Sequence, residues 1–433
     1  MFFKIVNIAF KNLGRHKVKT ILTSLSVVIS VWVFIFIDGW LLGMKIDSER
    51  NIVNLETGAV KIYNQDFLES KDDAPMFHSI DNWRAIVSQL DSEGFNGVPR
   101  VNFRGTLLYN NREFPFNFYG MDTELSKGVF ELHKHIEDGG SYIRDGEWGI
   151  VIGVKGAFDL GVKIGDTVNL YTTIDRLDDK KRVVRTPQVI PLKIVGLLNT
   201  NNPYINDKVA YMPLDILNHE TFGLQMSDRV TEICIRKKNK GPADIPGKDE
   251  GPAVIRKTLK STDIDGLSVV SWEEDAKDFL AIAGAKSKGT NAIVFFLFLI
   301  SILGISNTML MATLERTKEI GMIRSLGMTD GEVKLTFLIE ASLIGLLGSS
   351  IGFILGFMSN IYMVNFGIDF STMINAMGTD QFGYRVAGVY KGAWNWVTMF
   401  GSVIGATLIS AIACITPVKR ALKKEIAQAM RFE

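Results

Sequence analysis

Few residues of this 433-residue sequence are spaced for catalysis or for binding a metal ion. The segment from Gly284 to Thr290 has the glycines and lysines of a phosphate-binding loop, but no lysine follows Gly289 and no strand is predicted before it. His133 and His135 form a His-x-His pair without neighbouring ligands, so a solvated loop explains them better than a metal site. No nucleophile–base set is recognisable. We therefore expect no cofactor, metal ion or catalytic residue in this chain.

The chemistry that the sequence does offer lies in a charged segment between two apolar runs, NTMLMATLERTKEIGMIRSLG at 307–327. Three charged residues have the i, i+3 and i+4 spacing of one helical face: Glu315, Lys318 and Glu319. Ile320 and Ile323 form an apolar edge, and Gly327 is a typical helix end. The segment is either a force-transmitting amphipathic helix or a loop whose basic residues only set membrane topology.

Four apolar runs are long enough to cross a bilayer as helices: 21–44, 291–314, 335–361 and 395–417. The first run could be a signal peptide, but about 24 residues exceed the usual 7–15 of such a segment. Asp38, near the outer end of that run, is interpreted as an interfacial charge. The sequence therefore predicts an α-helical membrane domain of four transmembrane helices.

Basic residues are concentrated on one side of the predicted membrane. Residues 1–20 hold five Lys/Arg and no acid, and the segments 315–334 and 418–433 are also basic, whereas the loop 362–394 is balanced. Basic loops stay in the cytoplasm. We therefore expect a multi-pass membrane protein with both termini and the 315–334 helix cytoplasmic, and with residues 45–272 outside.

The large outer region is predicted to be an α/β (α+β) domain. Apolar or alternating patterns predict strands at 58–63, 98–109, 114–119, 149–152, 167–172, 191–197, 208–212 and 231–236. Helices are predicted near 80–90, 155–160, 213–218 and 252–259. Strand–helix–strand patterns over 58–109 and 230–271 predict a βαβ-type layer built from both ends of the region. Charged or Pro/Gly-rich loops are expected at 175–185 and 237–251.

A helical stalk is predicted between the outer domain and the second span, at 273–290. Its apolar positions recur as on one helical face: Ala276, Phe279, Leu280 and Ala283. The segment 43–54 after the first span is the expected partner. An ordinary juxtamembrane linker is the alternative.

Glu340 lies early in the third apolar run, where a carboxylate needs a polar partner or water. We interpret it as a structural contact to the 315–334 helix, with proton carriage as the alternative. The glycines of the same run predict close helix packing: Gly348, Gly352 and Gly356. Cys234 and Cys414 lie in different environments and are expected to stay unpaired.

Several of these stretches resemble one family. ERTKEIGMIRSLGM is similar to the segment between the second and third spans of the FtsX/MacB-like four-span permeases of ABC transporters. EWGIVIGVKGAFDLGVKIGDTVNL resembles the outer domain of that family, and LETGAVKIYNQDF is most similar to its lipoprotein-releasing, LolC/LolE-type branch. The resemblance implies a permease subunit of the bacterial inner (cytoplasmic) membrane that is not itself an enzyme, with ATP and Mg²⁺ bound by a separate ATPase chain.

The family resemblance also implies partners and contacts. The residues expected to contact the ATPase are Glu315, Arg316, Lys318, Glu319, Ile320, Ile323 and Arg324. A second permease copy or homologue would complete a dimer, with a lipid or lipoprotein as cargo and a periplasmic carrier as a further partner. The net charge of +1 gives no sign of nucleic-acid binding.

The first two spans are predicted to form a cargo cavity. Bulky apolar side chains suited to acyl chains are Val31, Phe34, Phe295 and Leu299. The predicted function is lipoprotein release driven by movement of the outer domain. MacB-like efflux of peptides or drugs and FtsX-like signalling to a cell-wall hydrolase are the alternatives, and a membrane-tethered enzyme is a third.

Overall fold

The computed structural model describes most of the chain. The described residues are 17–69, 78–177, 183–217, 219, 229–241, 243–261, 264–315, 321–322, 324–325, 327–369 and 388–422. They divide into two compact units. The helical unit comprises Met1–Met44, Gly284–Ile368 and Tyr390–Glu433, and the α/β unit comprises Lys45–Ala283 and Asp369–Val389.

The helices differ strongly in length, because four contain the apolar runs and the others have ten residues or fewer. In chain order they are α1 (Lys17–Ile52), α2 (Gln65–Glu69), α3 (Trp83–Ser92), α4 (Thr123–Val129), α5 (Val154–Leu160), α6 (Pro203–Lys208), α7 (Leu214–Leu217), α8 (Pro252–Thr258), α9 (Trp272–Asp275), α10 (Lys277–Glu315), α11 (Asp330–Asn365) and α12 (Trp396–Leu422). A π-helical turn, Val53–Thr57, follows α1 directly.

The strands are β1 (Val60–Asn64), β2 (Phe95–Tyr109), β3 (Arg112–Met121), β4 (Gly149–Gly153), β5 (Thr167–Leu177), β6 (Val183–Leu198), β7 (Val209–Pro213), β8 (Glu232–Lys237), β9 (Leu267–Ser271), β10 (Ile368–Asp369) and β11 (Val389–Tyr390). Each of the eight strands predicted from the sequence overlaps one of these. The prediction of a large α/β domain is therefore confirmed.

One part of the α/β unit is a layer made from both ends of its sequence. Strands β2, β8, β1 and β9 are neighbours in that order, and each adjacent pair is antiparallel. Helix α3 connects β1 to β2, and α8 connects β8 to β9, which gives the β-α-β-β-α-β order of a split βαβ layer. The predicted βαβ-type layer is thus present, with the middle of the region inserted between β2 and β8.

The inserted part forms a closed ring of six strands. Going around the ring, the order is β2, β3, β7, β4, β6 and β5, and β5 pairs again with β2. The ring is mixed, because the β3–β7 and β4–β6 pairs are parallel. Phe103, Phe118 and Leu170 belong to the largest apolar cluster of the unit, and a second cluster includes Val98, Met121 and Val209. Strand β2 belongs both to the ring and to the split βαβ layer.

The β5–β6 hairpin corrects one expectation. Residues 175–185 were expected to form a charged loop, but β5 continues to Leu177 and β6 begins at Val183, with Asp175 opposite Arg185. The backbone ladder of a two-stranded ribbon satisfies the peptide groups whatever the side chains are. A polar segment can therefore form a strand. The sequence prediction missed this one because it relied on an alternation of apolar residues.

In the helical unit, α1 and α11 pack in parallel through a glycine ridge. The neighbours advance together along both helices: Gly348 with Val27, Gly352 with Val31 and Gly356 with Ile35. A Cβ atom at Gly352 would lie 2.8 Å from the carbonyl oxygen of Val28 and 2.9 Å from Cβ of Val31. Only glycine permits this approach of the two backbones.

Helices α11 and α12 pack in the opposite sense. Numbers rise along one helix as they fall along the other: Phe337 with Cys414, Gly345 with Ser410 and Phe353 with Phe400. Within the described residues, three helical stretches are long and apolar enough to cross a membrane: Thr20–Thr57, Asp330–Asn365 and Trp396–Arg420. The predicted span 291–314 lies inside α10, and the number of four spans stays a prediction.

Candidate functional site

The predicted ATPase-contacting segment is described only in part. Glu315 is the exposed last residue of α10, and the Nε atom of Arg324 lies 2.8 Å from an Asp330 carboxylate oxygen. The others lie outside the described residues: Arg316, Lys318, Glu319, Ile320 and Ile323. Gly327 has a φ of +98°, in the left-handed region where glycine is favoured, as expected for the end of a helix. The ATPase contact stays a prediction.

The start of α11 is fixed by a capping box just after this segment. The backbone amide of Glu332 donates to the Oγ1 atom of Thr329 at 3.4 Å, and the amide of Thr329 donates to the Glu332 carboxylate at 2.8 Å. These two bonds satisfy amide groups that the first turn of a helix leaves unpaired. The segment 315–327 is therefore followed by a helix with a defined first residue.

The four residues proposed to line a cargo cavity have different surroundings. Val31 is buried against Gly352, while Phe34 is half-buried. Phe295 and Leu299 are 60% and 37% exposed on α10. Val31 thus has a packing role within one chain, and the cavity that would include all four stays a prediction.

Glu340 is buried in the helical unit, with 5% of its surface exposed. It lies one turn after Phe337, whose carbonyl oxygen accepts a bond from the Sγ atom of Cys414 at 3.5 Å. The predicted contact of Glu340 to the 315–334 helix involves residues outside the described ones and stays a prediction. Both cysteines are free and buried, as expected for two thiols in different units.

A polar junction that the sequence did not reveal joins α1, α11 and the segment before α12. The Asp38 carboxylate accepts hydrogen bonds from the side chains of Asn395 and Thr398 at the first turn of α12. The amide of Ala393 donates to the carbonyl oxygen of Gly39 at 2.8 Å, and Nδ2 of Asn360 donates to the carbonyl of Ala393 at 3.3 Å. Asp38 was interpreted as an interfacial charge, and the structure gives it hydrogen-bond partners within the helical unit.

Within the α/β unit, the end of α1 packs on the segment where α9 leads into α10. Ile52, Val53 and Trp272 are buried together, and Phe279 and Leu280 pack against them. This is the apolar face predicted for the stalk. The amide of Gly58 closes the π-helical turn by donating to the carbonyl of Val53 at 2.9 Å.

A cluster of buried charges lies directly beside these apolar contacts. The Nζ atom of Lys61 lies 2.9 Å from Asp275 Oδ2 and 3.4 Å from Glu232 Oε2. The Nε atom of Arg100 donates to Glu232, and the hydroxyl of Tyr63 donates to Asp275 Oδ1 at 2.7 Å. The side chains of these ion pairs are at most 6% exposed. The cluster connects strands β1, β2 and β8 to α9.

The charges of this cluster hold each other in the ionised state. Burial alone would raise the pKa of Glu232, but the cations of Arg100 and Lys61 keep that pKa below its usual value. Burial alone would lower the pKa of Lys61, but the carboxylates of Asp275 and Glu232 raise it above its usual value. Burial raises the pKa of the Cys234 thiol to about 11, so this thiol is not a nucleophile.

A cavity of about 240 Å³ lies beside the cluster. It is lined by Ile52, Glu56, Thr57, Lys61, Asn102, Tyr119, Tyr204, Asp275, Ala276 and Phe279. Its walls therefore come from the end of α1, from the sheet and from the start of α10. The packing of the stalk segments against the sheet is incomplete at this point.

The sequence gives little sign of this cluster, because only Lys61 is a single charge in a mainly apolar stretch, AVKIY, and Arg100 and Glu232 lie in strands with other polar residues. Asp275 has no such signal, since it lies in the charged stretch EED before α10. The His-x-His pair lies in a short 3-10 turn, Leu132–His135, and burial lowers the pKa of both imidazoles. Within the part of the chain that the structure describes, no His, Cys, Asp and Glu residues cluster as metal ligands.

Family models account for both units. The description "MacB-like periplasmic core domain" matches residues 20–243, which is more than half of the chain. The description "FtsX-like permease C-terminal" matches residues 291–426. The chain belongs to the FtsX/MacB-like family of ABC transporter permeases. The resemblance found in the sequence is thus confirmed at the level of the family, and this permease is a membrane protein.

Relatives of this permease come from archaea and bacteria. It is 23% identical to the uncharacterized ABC transporter permease MJ1507 of Methanocaldococcus jannaschii, over 99% of this chain and 98% of that one. It is 24% identical to the macrolide export ATP-binding/permease protein MacB of Mannheimia succiniciproducens, over 82% of this chain and 53% of that one. The permease thus spans about half the length of this MacB.

Among solved structures, this chain is similar to the extracellular domain of the noncanonic ABC-type transporter YknZ from Gram-positive bacteria. The superposition covers 49% of this chain and 100% of the YknZ domain. The TM-score is 0.31 and the identity is 13%. The family assignment does not depend on this overlap. It depends on the two family models.

Proposed function

We propose that this permease couples ATP hydrolysis by a separate ATPase chain to movement of its α/β unit on the outer side of the membrane. The observation that carries this proposal is the continuity of α10. This helix of 39 residues begins at Lys277, inside the α/β unit, and ends at Glu315, where the predicted ATPase-contacting segment starts. A continuous helix passes an axial shift or tilt along its whole length.

In this proposal, ATP binding closes two ATPase chains and moves the 315–334 segments of two permease copies. Ile320 and Ile323 would be the apolar anchors of that contact, and Arg316, Glu319 and Arg324 its polar rim. The movement then reaches the α/β unit through α10 and α1. ATP and Mg²⁺ are bound by the ATPase, and this chain supplies no step of the hydrolysis.

For the cargo, we propose an amphiphile that is taken from the outer leaflet and passed to a periplasmic carrier. Release of lipoproteins is the first candidate, because LETGAVKIYNQDF resembles the lipoprotein-releasing branch. MacB-like efflux is the second, and it is favoured by the match of the MacB-like core domain to residues 20–243.

Coupling is tested with the double variant Ile320→Asp, Ile323→Asp. It should lose binding of the ATPase chain, while the permease stays inserted and its α/β unit stays folded, because buried apolar anchors dominate such contacts. Glu315→Lys should weaken binding less and in a salt-dependent way. The measurement is copurification of the ATPase with membrane-extracted permease, with protease resistance of the α/β unit as the folding control. A double variant that binds normally would contradict the proposal.

The cargo is tested in vesicles that contain the permease and its ATPase. Acylated lipoprotein, an unacylated peptide and a macrolide are compared for ATP-dependent release and for stimulation of ATP hydrolysis. Stimulation by the acylated substrate alone supports lipoprotein release. Stimulation by the macrolide or the peptide supports MacB-like efflux, and stimulation by none contradicts cargo transport.

A further inference from the structure

The buried charge cluster fixes the point at which α10 leaves the α/β unit. Asp275 ends α9, and α10 begins two residues later at Lys277. Its carboxylate is bound by two residues of one strand, Lys61 at 2.9 Å and Tyr63 at 2.7 Å. These residues are two apart in β1, so their side chains lie on the same face of the sheet. Asp275 is thus held by two directional contacts from one rigid element.

The cluster continues across the sheet to two more strands. Lys61 also pairs with Glu232 of β8, and Glu232 pairs with Arg100 of β2, its direct register partner. Strands β1, β8 and β2 are neighbours, so the contact at Asp275 is supported by hydrogen bonds of the whole layer. A force on Asp275 is therefore distributed over the sheet instead of bending one strand.

Stability alone does not account for these charges. Taking a charge out of water is costly, and apolar residues of similar volume often stabilise a fold as well as a buried ion pair does. Apolar packing is already present next to the cluster, between Ile52, Trp272 and Phe279. What apolar packing lacks is direction, because it resists separation but permits sliding. Charge-assisted hydrogen bonds fix an angle and a register.

The neighbouring cavity strengthens this argument. Lys61 and Asp275 form part of its wall, together with Ala276 and Phe279 at the start of α10. The apolar side chains of Ile52 and Phe279 therefore do not close the whole surface between the sheet and this segment. The Lys61–Asp275 ion pair lies at the edge of the cavity and holds the segment to β1.

We propose that Asp275, Lys61 and Tyr63 form a latch that fixes the start of α10 to the sheet, so that movement of α10 is passed to the α/β unit without slip. These are positioning residues, and the inference rests on the proposed function. Without the latch, ATP hydrolysis should continue while the movement of the α/β unit and the release of cargo are lost.

The test uses the triple variant Lys61→Met, Tyr63→Phe, Asp275→Leu. It removes every latch contact but leaves Arg100 and Glu232 as a balanced pair, so no buried charge is left unpaired. The control is Arg236→Met, Glu250→Leu, which removes another ion pair of the α/β unit whose side chains are 5% and 1% exposed. Tyr63→Phe alone keeps the Lys61–Asp275 contact and should change each readout less than twofold.

The readouts are taken on permease and ATPase together in lipid vesicles. Spin labels at the exposed positions Phe158→Cys and Lys419→Cys report whether their distance changes when a non-hydrolysable ATP analogue binds. The triple variant should keep ATP hydrolysis within twofold of the unchanged protein. It should lose at least three quarters of the distance change and at least tenfold in cargo release. The control should keep all three.

Each other outcome contradicts a specific step. A triple variant with the full distance change and full release overturns the latch and leaves the proposed function intact. If the protein without latch substitutions shows no ATP-dependent distance change, the proposed function is wrong, and the latch with it. If protease digestion shows that the triple variant is unfolded, the shape-conserving variant Lys61→Met, Tyr63→Phe, Asp275→Asn takes its place, because it leaves the side chain at position 275 without either latch donor; normal release by that variant overturns the latch.

Discussion

Replacement of Gly352 by alanine should separate α1 from α11. The new Cβ atom would lie 2.8 Å from the carbonyl oxygen of Val28 and 2.9 Å from Cβ of Val31, where ordinary contacts begin at 3.4 Å. The helices must therefore move apart by about 0.6 Å, since a backbone carbonyl cannot rotate away as a side chain can. A gap of this size forfeits a quarter to a half of each neighbouring dispersion contact.

Overpacking of this kind costs about 1–3 kcal/mol. The greater helix propensity of alanine returns up to about 1 kcal/mol. Subtracting up to about 1 kcal/mol from a mid-range cost of about 2 kcal/mol, we expect Gly352→Ala to lower the free energy of unfolding by about 1–2 kcal/mol. Unfolding is measured in mixed micelles by titration with a denaturing detergent, and helix content is followed by circular dichroism.

Gly405→Ala in α12 is the matched control, because a Cβ atom added at this position would meet no other atom within 4 Å. Its free energy of unfolding should stay the same or rise by up to about 1 kcal/mol. Equal stability of the two variants would refute the argument that Gly352 is glycine for the sake of close packing.

Three further predictions concern other contacts. Gly43→Ala should destabilise the helical unit in the same detergent titration, because its Cβ would meet the backbone before α12, whereas Gly401→Ala should not. Burial alone would raise the pKa of Glu232, but Arg100 and Lys61 hold this pKa below its usual value. The ionised carboxylate therefore contributes fully to stability above about pH 4.3, and this contribution is lost as the pH falls further. In thermal unfolding scans at decreasing pH, Glu232→Gln should reduce the loss of stability in acid. Thr329→Val should cost about 1 kcal/mol and increase amide hydrogen exchange in the first turn of α11, and unchanged exchange would contradict the capping role.

The long helices and most strands could be predicted from the sequence, because their signals are local. The apolar run 335–361 lies wholly inside α11, and Gly327, predicted as a helix end, has a φ of +98°. The glycine spacing at 348, 352 and 356 also predicted close packing. It did not identify α1 as the partner helix, because a spacing within one helix carries no information about the other.

The charge cluster could not be predicted for a different reason. The alternation rule for strands predicts that a charged residue such as Lys61 faces solvent. In the fold, Lys61 is only 4% exposed. Its burial depends on Asp275, which is more than 200 residues away and belongs to another element. Pairing over such distances is a property of the topology and leaves no local pattern. The extension of β5 and β6 into a polar segment escaped prediction because ladder hydrogen bonds are independent of side-chain type.

Strand β2 has a consequence for the mechanics of the α/β unit. Its residues 95–100 pair with β8 in the split βαβ layer, and its residues 105–108 pair with β5 in the six-stranded ring. One unbroken strand therefore belongs to both parts, so a rotation of one part is passed to the other. The β6 strand of the ring has 16 residues, about 50 Å when extended, and makes a long lever arm. A rotation of the split βαβ layer would therefore carry the ring with it, and a load on the ring would be returned to the layer through the same strand.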